Sequence, residues 1–205
     1  METEQIRQII SAVKAIAAQK TCPVIGIDGL GGAGKSTISE EIQAELERNG
    51  LHTVLLHIDD FIHVKAIRYN SSYPEWMCYY HLQWRYAAFL ELIGEIRHAH
   101  EEVTAELYDK EHDCYIHQAL SVQPDTVILT EGIFLQRQEL RGVFDFMVYM
   151  DVPELERLAR VLKRDLYIGN ADEIRKKYEN RYFPAERFYY SEYRPDLSAN
   201  VTIGG

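Results

Sequence analysis

The chain is poor in cysteine: among its 205 residues only Cys22, Cys78 and Cys114 occur, an odd number, far apart and without a CxxC pair. A disulfide framework and a Cys-based zinc site are both excluded, which points to a reducing compartment. The eight histidines form no HxxxH or HExxH pair, so no helical zinc site is expected either. Long apolar runs are lacking too. The first apolar stretch follows Glu2 and Glu4 and is interrupted by Arg7 and Lys14, which fits neither a leader nor a membrane span and implies a cytoplasmic protein. No linker rich in Pro, Gly or Ser divides the chain, so residues 1–205 are expected to form one domain. Positive charge is scarce: 22 Lys and Arg face 32 Asp and Glu, a net charge of −10 that argues against nucleic acid as a partner. Yet ten of those 22 cations lie between Arg157 and Arg194, a local basic face suited to an anionic ligand.

Glycine, by contrast, is concentrated. Gly26 to Gly34 holds five glycines in nine residues and runs straight into a helix-forming segment. Glycine reaches positive φ and lets backbone N–H groups crowd around a ligand, and the free N–H groups of a helix start attract an anion. Gly29-x-x-x-x-Gly34-Lys35-Ser36 has the spacing of a phosphate-binding P-loop, with the short apolar run of Val24, Ile25 and Ile27 before it. The expected nucleotide-binding residues are therefore Gly29, Gly31, Gly32, Ala33, Gly34, Lys35, Ser36 and Thr37, with Lys35 aimed at the terminal phosphates and Ser36 at magnesium.

The remaining pattern predicts an α/β fold of the P-loop NTPase type. Five β-branched or aromatic runs, CPVIGID, HTVLLHIDD, DTVILTEG, FDFMVYMDV and NVTI, alternate with helical patterns, which predicts a parallel sheet of about five strands covered by helices on both faces. Residues 1–20 form an amphipathic helix with Ile6, Ile9, Ile10 and Val13 on one face, free to pack on its own domain or on a second subunit. Tyr79, Leu82, Tyr86, Phe89 or Leu90, and Ile93 read as one core-facing helical stripe.

Ligands bind at the carboxyl ends of strands in such sheets. There stand Asp59 and Asp60, Glu131 and Asp151, the last read as a cap for a helix starting at Pro153. Phosphoryl transfer needs a lysine, magnesium, arginines on the transferring group and an acid near the attacking hydroxyl. Lys35 and Ser36 supply the first requirements. Asp59 is placed as proton acceptor and magnesium ligand through water, and Glu131 as an outer acid. Arg157, Arg160 and Arg164 fall on one face of a helix, the arginine stripe of a lid over about 154–181. Arg157 is assigned to the nucleotide, Arg160 and Arg164 to catalysis. Phe61, Tyr73 and Trp76 lie near the second strand end, where an acceptor would stack, and His57 and His63 read as local hydrogen-bonding residues.

These segments, GKST, DDF, EGIFL, and MDVPELERLARVLKRD followed by KYENRYFPAERF, resemble the uridine kinase and phosphoribulokinase group of P-loop kinases, from Pro23 to Ile203. The resemblance implies ATP with Mg2+ as donor, a small hydroxyl compound as acceptor, Asp59 as catalytic base, and Glu131 as a residue placing magnesium. It implies substrate roles for Tyr108 and for His112, which stands one residue earlier than in uridine kinases. The arginine-rich turn of that group beyond the lid helix is replaced here by LYIGNADEIRKKY. A nucleotide-dependent switch and an ATP-binding protein without catalysis are the alternative readings, although neither NKxD nor LSGGQ occurs.

Overall fold

The computed structural model describes residues 2–70, 72–99 and 101–204. Helix α1 (Glu2–Ala17) precedes β1 (Val24–Gly29), the glycine loop, α2 (Lys35–Arg48) and β2 (Thr53–His57). A 3-10 turn (Ile58–Asp60) leads to the short α3 (Lys65–Arg68), then to α4 (Glu75–Leu82) and α5 (Tyr86–His98). A hairpin of β3 (Glu102–Asp109) and β4 (Cys114–Ser121) follows, then β5 (Val127–Gly132) and β6 (Phe146–Asp151). The chain ends in α6 (Glu154–Arg164), α7 (Ala171–Lys177), α8 (Phe183–Tyr193), α9 (Pro195–Ser198) and β7 (Val201–Gly204).

Five strands pair in the order β2-β5-β1-β6-β7, every pair parallel, which is the sheet the five β-branched runs predict. Strands β1 and β5 are buried along their whole length, as strands covered on both faces must be. Successive side chains point to opposite faces, so Val24, Val54 and Ile128 join one core while Ile25, Ile27, Val127 and Leu129 join the other. Helices α1 and α2 cover the second core with Ile6, Ile9, Ile10, Val13, Ile38, Ile42 and Leu46. Each such burial contributes about 1.5–3 kcal/mol relative to exposure. Helices α4, α5 and α8 and strand β3 cover the first core with Tyr79, Phe89, Ile93, Val103 and Tyr189.

Two local expectations change. The aromatic stripe is two helices rather than one, because the backbone at Gln83–Arg85 pairs instead with Phe61–His63: His63 N–H donates to Gln83 O (2.9 Å) and Arg85 N–H to Phe61 O (2.7 Å). Asp151 does not cap α6, which starts at Glu154 behind Pro153 with no side-chain cap. Val161 of α6 forms a small core with Ile174, Tyr178 and Phe183, so α6 and α7 form one packed unit beside the glycine loop.

Candidate active site

A cavity of about 720 Å³ opens at the carboxyl ends of β1, β2 and β5. Its wall combines the loop residues Gly31, Gly32, Lys35 and Ser36, Asp59 from the turn after β2, and Glu131 and Gly132 from the end of β5. Three segments far apart in sequence meet because their strands are neighbours in the sheet.

The glycine loop is held by backbone geometry and by an ion pair behind it. Gly32 (φ 82°) and Gly34 (φ 98°) lie in the left-handed region, and a β-carbon on Gly32 would stand 2.8 Å from Val161 Cγ1 and 2.9 Å from the Arg157 carbonyl. Gly34 sits at the N-cap of α2 with no side-chain cap, so the first N–H groups of that helix remain for a ligand. Behind the loop, Glu186 Oε1 accepts the Gly31 N–H (3.0 Å), and Arg157 Nη1 donates to Glu186 Oε2 (2.7 Å) and to the Gly31 carbonyl (3.0 Å). Lys35 Nζ donates to the Leu30 carbonyl at 3.3 Å.

A second network orders the acids. Glu131 Oε1 accepts from the Ser36 hydroxyl (3.2 Å) and bonds His57 Nδ1 (2.7 Å). Burial opposes ionisation of Glu131, but the His57 hydrogen bond and the charges of Lys35 and His57 outweigh it, so its pKa falls below the ordinary value while that of His57 rises. Asp59 is accessible from the cavity yet enclosed by its walls. That enclosure, with the Glu131 charge, raises its pKa against the pull of Lys35, Lys110 and His57. A raised carboxylate pKa facing a cleft is the property of a proton acceptor.

Gly132 positions this acid. A β-carbon there would stand 2.1 Å from Ile58 Cγ2, so the turn carrying Asp59 sits against β5 only because residue 132 has no side chain. Asp28, wholly buried in β1, accepts from Gly29 N–H (2.8 Å), Gln136 Nε2 (3.1 Å) and Tyr189 OH (2.5 Å), tying the loop's first residue to α8.

The arginine stripe divides. Arg164 lines the cavity, paired with Asp165. Arg160 binds the loop from outside, donating to the Ala33 carbonyl at 3.0 Å and pairing with Glu156. Arg157, expected on the nucleotide, is 3% exposed and neutralised by Glu186, which makes it a strut for the loop. Tyr108 reaches the cavity wall; Phe61, Tyr73 and His112 do not. Phe61 is packed edge-on against Phe89 (5.3 Å), Tyr73 is exposed in the loop before α4, and His112 bonds Asp109 at the exposed hairpin tip. Trp76 leans on Phe188. Ala33, Gly34 and Thr37 belong to the loop and helix start and Gly29 ends β1, and none of the four is part of the cavity wall.

Sequence reasoning missed Asp28, Glu186 and Arg68. Asp28 carries a signal, a lone acid inside an apolar strand; Glu186 and Arg68 carry none, since their partners lie 155 and 40 residues away. The donor set fits the expected groups. The Ser36 hydroxyl and the Asp59 and Glu131 carboxylates are oxygen donors of the kind a hard divalent cation such as Mg2+ would take together with phosphate oxygens and water. Among the described residues no cluster of three or more His, Cys, Asp or Glu is built to hold a metal alone.

Residues 24–181 match the model of the Phosphoribulokinase / Uridine kinase family. Uridine-cytidine kinase A of Dictyostelium discoideum is 30% identical over 148 residues, which are 70% of this chain and 28% of that protein. Uridine kinase of Staphylococcus haemolyticus is 29% identical over 151 residues, 69% of this chain and 68% of that one. The structure of a possible uridine kinase from Bacillus stearothermophilus superposes with a TM-score of 0.73 at 32% identity, covering 97% of this chain and 99% of that one. Among the described residues no helix is long and apolar enough to cross a membrane.

Proposed function

This chain belongs to the phosphoribulokinase and uridine kinase family of P-loop kinases, and from that premise we propose that it transfers the γ-phosphate of ATP to a hydroxyl of a small metabolite. The observation that carries this reading is the meeting of Lys35, Ser36, Asp59 and Glu131 around one cavity. Mg-ATP supplies the phosphoryl group and neutralises its charge. The N–H groups at the start of α2 hold the phosphates, and Lys35 leaves the Leu30 carbonyl to meet them. Ser36 and Glu131 would hold the cation, Glu131 oriented by His57. Asp59, whose raised pKa favours taking up a proton, receives that of the attacking hydroxyl. Arg164, on the packed unit of α6 and α7, stabilises the transferring charge as residues of about 154–181 close over the cavity.

The test is ATP consumption with Mg2+ across a panel of nucleosides, sugars and hydroxy acids, with products read by mass. A product that appears with one acceptor class, and vanishes in Lys35→Ala and in Asp59→Asn while Asp59→Asn still binds ATP, is expected. ATP binding without phosphorylation of any acceptor would favour the switch or the non-catalytic reading.

A further inference from the structure

Beyond Lys35, the cavity carries further positive charge that enters no ion pair among the described residues, in a protein of net charge −10. Lys65 and Arg68 come from α3, Lys110 from the β3–β4 turn, and all three line the cavity. Among the described residues none of them makes an ion pair within 4.0 Å of a carboxylate. Arg68 is the informative one. It is 8% exposed, and its guanidinium bonds the Tyr108 hydroxyl (Nη2, 2.6 Å) and lies against the Tyr108 and Tyr69 rings, leaving Nε without a partner. Tyr108 in turn donates to Asp113 (2.7 Å), so among the described residues the carboxylate that Arg68 reaches by hydrogen bonds is one step removed. A guanidinium kept nearly dry with an unused N–H is costly unless something completes its hydrogen bonding. Lys110 also faces Asp59 and Asp60, and Asp113 faces Lys65 and Arg68.

We propose that Arg68, with Lys65 and Lys110, binds an anionic group of the phosphate acceptor, a carboxylate or a phosphate set away from the reacting hydroxyl. The inference rests on the kinase reading and narrows its substrate class to acids rather than neutral nucleosides. Arg68 supplies the directional charge-assisted hydrogen bond, and the two exposed lysines attract the anion and hold it loosely. The aromatic wall of Tyr69 and Tyr182 beside them covers the carbon skeleton.

Matched acceptors test it: ribose against ribose 5-phosphate, pantothenol against pantothenate, and glycerol against glycerate, each with Mg-ATP and the intact protein. The acidic member of at least one pair is expected to show a kcat/KM at least about tenfold above its neutral partner. Lys110→Gln and Arg68→Met should each raise KM for that acid several-fold, with the dissociation constant of ATP unmoved. Lys110 is exposed, so its variant reports even if Arg68→Met fails to fold. Phosphorylation of neutral members alone, or of both alike with no response to Lys110→Gln, overturns the inference and leaves the kinase reading standing. No phosphorylation of any acceptor overturns the kinase reading and the inference together.

Discussion

Arg157 and Glu186 form an ion pair of 2.7 Å beneath the glycine loop, with side chains 3% and 1% exposed, and both grip Gly31, one through its carbonyl and the other through its N–H. The phosphate-binding loop is therefore braced by two residues from α6 and α8, of which Glu186 also lines the cavity. Such a pair adds little over an apolar substitute, but removing one partner strands the other charge in a dry site.

Arg157→Ala or Glu186→Ala should accordingly lower stability by about 3–5 kcal/mol each in urea unfolding. The double variant should lose clearly less than the sum. Additive losses would mean the two residues do not act as a pair.

Gly132→Ala places a methyl group where Ile58 now sits, and Ile58 adjoins Asp59. The turn must shift, at a cost of about 1–3 kcal/mol, and carry Asp59 with it. Turnover should fall at least tenfold while ATP affinity changes little; unchanged kcat would separate Asp59 from the chemistry.

The two remaining arginines of α6 should behave differently. Arg164 faces the cavity, so Arg164→Ala should lower kcat more than ATP affinity. Arg160 holds loop carbonyls, so Arg160→Ala should weaken ATP binding first. Identical kinetic effects would contradict this division of roles.

The His57 and Glu131 contact makes stability depend on pH. The pKa of His57 is raised above the ordinary 6.5 by the Glu131 hydrogen bond, so its contribution is full below about pH 6.5 and is lost as pH climbs through the raised value. The stability difference between the wild-type protein and His57→Ala should therefore shrink from pH 6 to pH 8.5 in parallel urea titrations. His57 is partly exposed, so the effect is modest. A difference that grows with pH would show that His57 is not held as the cation.

Much of the molecule is legible in short windows of sequence. The five strands announce themselves by β-branched runs, and the loop by glycines that must take positive φ ahead of Lys35 and Ser36. Asp59 and Glu131 were recognisable because they stand at or just beyond the carboxyl ends of β-branched runs, where parallel sheets bind ligands. The arginine stripe misled for a definite reason. Helical spacing places Arg157, Arg160 and Arg164 on one side of α6, but which of them meets a ligand depends on what packs there. Phe61 misled in the same way, since a position beside the acidic turn did not reveal the Phe89 ring waiting in α5.

By itself, then, the sequence determined the five strands of the main sheet, the phosphate cradle and the acids beyond the strand ends, because each depends on backbone preference or on a period of two or 3.6 residues. Only the tertiary structure decided that Arg157 is a strut and Arg164 a wall of the cavity, that Gly132 makes room for the turn bearing Asp59, and that Arg68 lines the same cavity on the Tyr108 hydroxyl. Those roles are set by burial and by partners as far as 155 residues along the chain, and no local pattern carries that information.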